Sequence, residues 1–99
     1  MNYEFHPDAL SEFQESVIFY EAQQNGLGVR FMAAVQSAID HIVIAPESYR
    51  VLEEDVRRFL TKVFPYAVLY TIESDCILIV AVMHCHREPG FWHHRITSV

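Results

Sequence analysis

The sequence predicts one α+β domain over residues 1–99, with a short N-terminal strand and an antiparallel helical hairpin packed on a small antiparallel β-sheet, in the order β-α-α-β-β-β. Three observations carry that prediction. Apolar residues recur at helical spacing through two consecutive segments before Pro46. Three apolar, strand-like runs then follow closely, the last two joined by the tight turn Glu73-Ser74-Asp75, which demands an antiparallel pair. The length suits a single domain, since such a chain buries roughly 65% of its unfolded surface without staples.

Residues 3–6 read as the first strand. Pro7 suits a first helical position, and Asp8 is favourable against the helix dipole. Leu10, Phe13, Val17 and Tyr20 recur at three- and four-residue steps, giving an amphipathic helix with Glu12, Glu15 and Glu21 outside. Asn25-Gly26 ends it, because glycine accepts the left-handed cap conformation. Leu27, Phe31, Ala34, Val35, Ala38, Ile39 and Ile42 form the broad stripe of a second helix, closed by Pro46. So short a connection makes the helices antiparallel neighbours, and Ala33, Ala34 and Ala38 are expected to let them approach.

Residues 46–55 read as a polar loop, followed by extended segments at 56–63, 67–72 and 76–84. The last, Cys-Ile-Leu-Ile-Val-Ala-Val-Met, is apolar on both faces, which marks a central strand covered twice. The helices cover one face. The C-terminal tail or another chain must cover the other.

At 52% hydrophobic and 20% charged the composition is globular and excludes disorder. No 18-residue apolar run is evident, so no membrane span is expected. Met1-Asn2-Tyr3-Glu4-Phe5 has neither a basic start nor an apolar stretch, so no signal peptide is expected and the location is cytoplasmic. Cys76 and Cys85, about 30 Å apart if they share one strand, are too distant to pair and read as reduced thiols. The net charge of −6 is uneven: residues 1–55 hold ten acids against two arginines, whereas 56–99 hold five Lys/Arg against three acids. The basic half, with four histidines, is the side that meets an anionic or polar partner.

Several features resemble, in order and spacing, the RelE/ParE family of toxins (plasmid stabilisation proteins). They are Phe5-His6-Pro7 with Ala9, Gly28 and Phe31, Pro46, Phe64-Pro65-Tyr66 with Tyr70, and an ending of His84, His86, Arg87, Pro89, Trp92 and Arg95. The resemblance covers nearly the whole chain. It implies the toxin of a type II toxin–antitoxin module, neutralised by a cognate antitoxin whose C-terminal segment wraps it in a hetero-oligomer. It implies no metal or cofactor. The implied target is DNA gyrase, inhibited without chemistry, or the translating ribosome and its mRNA.

For an mRNA endonuclease the resemblance implies a cluster on the concave sheet face and its C-terminal edge. Arg87, Arg58 and Lys62 would clamp phosphate, and His84 or His86 would move the proton. Trp92 would stack a base, with Phe91 and Arg95 completing the target-binding surface. Arg58 and Lys62 are an even number of residues apart, which places them on one face of a strand. Against this version stands the net charge of −6, since phosphate contacts supply most nonspecific nucleic-acid affinity. A degenerate homologue acting only as a binding module, or an unrelated α+β domain, are the blander readings. Arg57 is expected to brace the acidic loop Glu53-Glu54-Asp55, while Trp92 and Phe91 also read as a lid on the sheet. His84, Cys85, His86, His93 and His94 match no standard zinc spacing.

Overall fold

A computed structural model describes residues 1–88 and 90–96. Pro89, part of the C-terminal motif, lies outside the described residues. Strand β1 (Asn2–Phe5) leads into helices α1 (Pro7–Gln23) and α2 (Leu27–Ile44); β2 (Val51–Glu53), β3 (Val56–Leu60), β4 (Tyr66–Ile72) and β5 (Cys76–His84) follow. The sheet runs β1-β5-β4-β3-β2. The expected α+β arrangement is present, with two differences in the sheet. It is mixed rather than antiparallel, because β1 pairs parallel with β5 from Asn2↔Cys76 to Phe5↔Ile79. The expected loop at 46–55 also contains β2, which pairs antiparallel with β3 around a turn that holds Glu54 at φ 53°.

Local chemistry sets the helix ends. The His6 side chain caps α1 by accepting a hydrogen bond from the Asp8 N–H (3.0 Å), and Pro7 follows at the first helical position. Gly26 adopts φ 87° between the helices. Glu21 is exposed, as expected, and also bridges them: its carboxylate accepts from the N–H groups of Gly26 and Gly28, both at 2.9 Å. Those donors start α2 and have no partner within the helix, so an anion there is favourable.

The helices approach closely at Gly28. A Cβ there would stand 2.7 Å from the Val17 carbonyl oxygen and 2.9 Å from the Glu21 Cβ. The α2 stripe is buried as its spacing requires, with Phe31, Val35, Ala38, Ile39 and Ile42 packed on Val68, Tyr70, Ile77 and Ile79. On α1 the buried apolar position is Ala9, whereas Leu10 is exposed. Helix α2 is also 18 residues long with mean hydropathy 1.3, enough by length and composition alone to cross a membrane. In the fold its apolar stripe is a core face on the sheet.

Strand β5 is buried on both faces, and the C-terminal tail supplies the second cover. Opposite the helices, Val56, Ala67, Leu69, Val80 and Ala81 pack with Trp92, flanked by Phe91 and Ile96. A bulge at Leu69/Tyr70 makes this possible. Leu69 pairs with Ala81 and Tyr70 with Ile79, so Val80 is an extra residue and adjacent Val80 and Ala81 serve the same core.

Tyr70 is wholly buried and its hydroxyl donates to the Pro46 carbonyl oxygen at 2.6 Å. Burial pushes its phenol up to about 12, against the pull of Arg57. Arg57 braces the 46–55 segment through the carbonyl oxygens of Glu47 (3.1 Å) and Tyr49 (2.8 Å), not through the acids of that loop.

Two predictions follow from this packing. Gly28→Ala should lower the unfolding free energy by about 1–3 kcal/mol, read as a shifted urea midpoint, because the Val17 backbone cannot move aside cheaply. The phenol of Tyr70 is raised above its unfolded value of about 10, so its stabilisation is complete below that pH and is lost as pH climbs towards its folded value. Tyr20, raised mainly by burial, acts in the same sense. The urea midpoint should therefore fall between about pH 9 and about pH 11, and less steeply in Tyr70→Phe.

Candidate target-binding cleft

Strand β1 covers only the first half of β5. Beyond the Ile79 pairing, the outer edge of β5 has no neighbouring strand, and its backbone groups need other partners. Two side chains provide them. The Glu12 carboxylate accepts from the Val82 N–H at 3.2 Å, and an Arg95 Nη donates to the Val80 carbonyl oxygen at 3.0 Å. Glu12 and Arg95 join each other through two parallel hydrogen bonds of 2.9 and 2.8 Å, with only 15% and 6% of their side chains exposed. This is the bidentate geometry that makes arginine–carboxylate pairs strong.

The clasp fixes the C-terminal turn His93–Arg95 beside α1. His93 reaches the other way, to Glu53 of β2 at 2.7 Å, while His94 stands 3.5 Å from Asp8. Held between these points, Trp92 sits on the sheet at 2% exposure, and Phe91 packs beside it. The Phe91 ring carries the Arg87 guanidinium 3.9 Å above its centroid, a cation–π contact, and Arg95 lies 5.0 Å from the same ring.

A cleft of 310 Å³ opens next to Trp92 on this face of the sheet. Leu60, Ala67, Leu69 and Met83 line its apolar part; Arg58, Arg87, Cys85 and Glu53 supply polar lining. Strand alternation explains the grouping, since Arg58 pairs with Leu69 and Leu60 with Ala67, so their side chains share one face. Half of the Arg87 side chain is exposed.

The structure thus divides the residues that the resemblance grouped. Arg58, Arg87 and Trp92 meet at the cleft. Lys62 does not, because β3 ends at Leu60 and the chain bends; Val63 takes φ 73° and Lys62 faces the α2 side. His84 pairs with Tyr66 on the helical face of β5, its ring 5.4 Å from the tyrosine. Its Nδ1 accepts from the His86 N–H at 3.1 Å, and the two rings stand 5.2 Å apart. Arg95 is a buried structural tie with little surface to offer a target, and Trp92 is a lid whose face is already covered.

Arg87 does share a second groove with His84, but Asp8, Glu12 and Glu15 wall it. Three carboxylates against Arg87 and Arg95, the latter tied to Glu12, leave the groove net acidic, which disfavours an incoming phosphate. Among the described residues no three His, Cys, Asp or Glu converge on a metal position. Cys76 and Cys85 are both free. Desolvation, then Glu4, Asp75 and Glu73, push the Cys76 thiol up, away from a reactive thiolate.

Glu12 is the residue that sequence reasoning missed. It was assigned to the solvent face, yet it lies three residues after buried Ala9 and four before half-buried Ser16, on the inward stripe. A carboxylate at that phase needs a buried cation, which Arg95 provides. Glu12→Ala is expected to cost about 3 kcal/mol of stability by leaving the guanidinium unpaired. Adding Arg95→Leu should restore part of the loss, so that a double-mutant cycle of urea midpoints reports coupling above about 1 kcal/mol.

The comparisons with known proteins agree with this architecture. A solved structure titled "Chromosomal ParDE TA system from P. aeruginosa" superposes with a TM-score of 0.62 over 85% of this chain and 95% of that one. At 12% identity that likeness shows a shared fold. No curated protein matches the sequence. Residues 3–89 match the family described as the ParE toxin of type II toxin–antitoxin system, parDE. The chain belongs to the ParE toxin family.

Proposed function

We propose that this chain is a growth-arresting toxin that works by stoichiometric binding through the Arg58–Arg87 cleft, not by cutting RNA, and that a cognate antitoxin neutralises it. Membership of the family supports a toxin–antitoxin role and an antitoxin partner. The observation that carries the mechanism is the separation of the would-be catalytic set. Cleavage by 2′-OH attack needs phosphate-binding cations and proton-transfer groups around one phosphate. Here Arg58 borders one cleft and Lys62 another, and Arg87, which borders the first, meets His84 only in a groove where Asp8, Glu12 and Glu15 outnumber the two arginines.

A binding mode needs only a complementary surface. An apolar floor bordered by two arginines suits an apolar side chain flanked by carboxylates, and arginine is among the residues that dominate interface energies. DNA gyrase is the target that a toxin without chemistry implies, and an acidic chain is at no disadvantage on a protein surface.

Induction without the antitoxin should arrest growth, and the purified chain should inhibit gyrase supercoiling while leaving mRNA intact in a translating extract. Arg58→Ala and Arg87→Ala should each weaken target binding by about 2 kcal/mol, roughly 30-fold. Cleaved mRNA with unaffected gyrase would overturn the proposal, and so would undiminished toxicity of both variants.

A further inference from the structure

Among the described residues the cleft beside Trp92 has one acid in its lining, Glu53, set with Arg58 and Arg87. Sheet register explains its place. Glu53 pairs with Val56, two positions before Arg58, so the three side chains share a face. Glu53 forms its ion pair with His93, at 2.7 Å, and with neither arginine.

His93 is built into that position. Its ring packs over Gly90, where a Cβ would come within 2.8 Å of the imidazole, and Gly90 holds φ 79°, which favours glycine. The His93 N–H donates to the Gly90 carbonyl oxygen at 3.0 Å, and the Trp92 ring stands 4.4 Å from the imidazole. The His93 and Glu53 side chains are 47% and 42% exposed, so the pair is a rim of the cleft and not part of the core.

Two arginines and one carboxylate leave the cleft at +1 while His93 is neutral. A proton on His93 offsets Glu53 and returns +2. Histidine is the side chain whose ordinary charge change falls between about pH 5 and about pH 8. We propose that Glu53 and His93 are a charge selector for the target cleft. With the imidazole protonated the cleft holds an apolar side chain flanked by carboxylates, and with it neutral Glu53 repels that ligand. The inference rests on the binding reading of the cleft and adds its specificity and regulation. Other charged groups lie near the pair. Glu54 and Asp55 line a neighbouring groove with Arg95, Cys85 joins the cleft wall, and His94 faces Asp8 of α1 at 3.5 Å. The His94–Asp8 pair lies outside the cleft lining.

Two end-capped pentapeptides with a central leucine, flanked by glutamates in one and glutamines in the other, test this when titrated into the isotope-labelled chain at about pH 6 and about pH 8. Peptide carboxylates stay ionised across that range. The Glu peptide should bind about fivefold tighter at the lower pH, the modest factor due to one charge at a half-exposed rim, with amide shifts at Arg58, Leu60, Cys85 and Arg87. The Gln peptide should bind alike at both. His93→Gln keeps a hydrogen-bonding side chain without the proton switch, and should hold the Glu peptide at the weaker level throughout. Glu53→Gln should raise the affinity at the higher pH to about the native lower-pH level, and His94→Gln should keep the native dependence. Fluorescence of Trp92, the single tryptophan, reports whether the lid stays seated, and Glu53→Gln carries the test if His93→Gln unseats it. A fivefold gain that survives in His93→Gln, equal binding of the Glu peptide at both pH values, or the same gain with the Gln peptide would overturn the selector and leave the cleft reading standing. No binding of the Glu peptide near about 10 mM at either pH would overturn both.

Discussion

The Glu12–Arg95 clasp stands where a strand would otherwise have to be. β5 is an interior strand of the sheet, paired with β4 along its length but with β1 only as far as Ile79. A half-covered strand edge leaves N–H and C=O groups that cost free energy if buried unpaired. Glu12 accepts from one and Arg95 donates to another, while each neutralises the other. A buried ion pair is a weak source of net stability, since desolvation consumes most of the attraction. Its value here is positional. It selects a single register for α1 against β5, and it fixes the tail that carries Trp92 onto the second face.

From that anchor the remaining surface chemistry follows. Trp92 and Phe91 can close the second apolar face only while Arg95 holds the turn after them. Phe91 in turn supports the Arg87 guanidinium, and Glu12 lies 3.8 Å from Arg87 on its other side. The exposed arginine of the cleft is therefore oriented by groups whose first role is to finish the core. A mean hydropathy of +0.11 in so short a chain is accounted for by the same construction, because one sheet carries a core on each face.

Features whose cause is local could be read from the sequence, and features set by distant partners could not. The α2 stripe, Pro7 at the start of α1, the Gly26 turn and the doubly apolar β5 each rest on neighbours in the chain, and each is present where spacing put it. The parallel β1–β5 pair spans more than seventy residues, and no turn signal reports it. β2 is three residues long and polar at one end, too short for alternation to register. Lys62 was misplaced because the parity rule holds only inside a strand, and β3 stops at Leu60. Charge is the strongest exposure signal and holds for Glu21, but Glu12 is mostly buried because Arg95, 83 residues away, pairs with it.

The same separation bears on what kind of toxin this fold can be. A sheet offers two faces, and alternation along β3 sends Arg58 to one and Phe59 to the other. An enzyme must bring cation, acid and base to a single face, so every functional position on a strand has to share one parity. In this chain Arg58 lies on the tail side, His84 on the helix side and Lys62 beyond the end of β3. One of the carboxylates that wall the His84 groove, Glu12, also completes the β5 edge. Removing Glu12 to admit a phosphate would therefore open the clasp that keeps Arg87 in place. On the binding mechanism proposed above, fold integrity and phosphate chemistry compete for the same residue, Glu12.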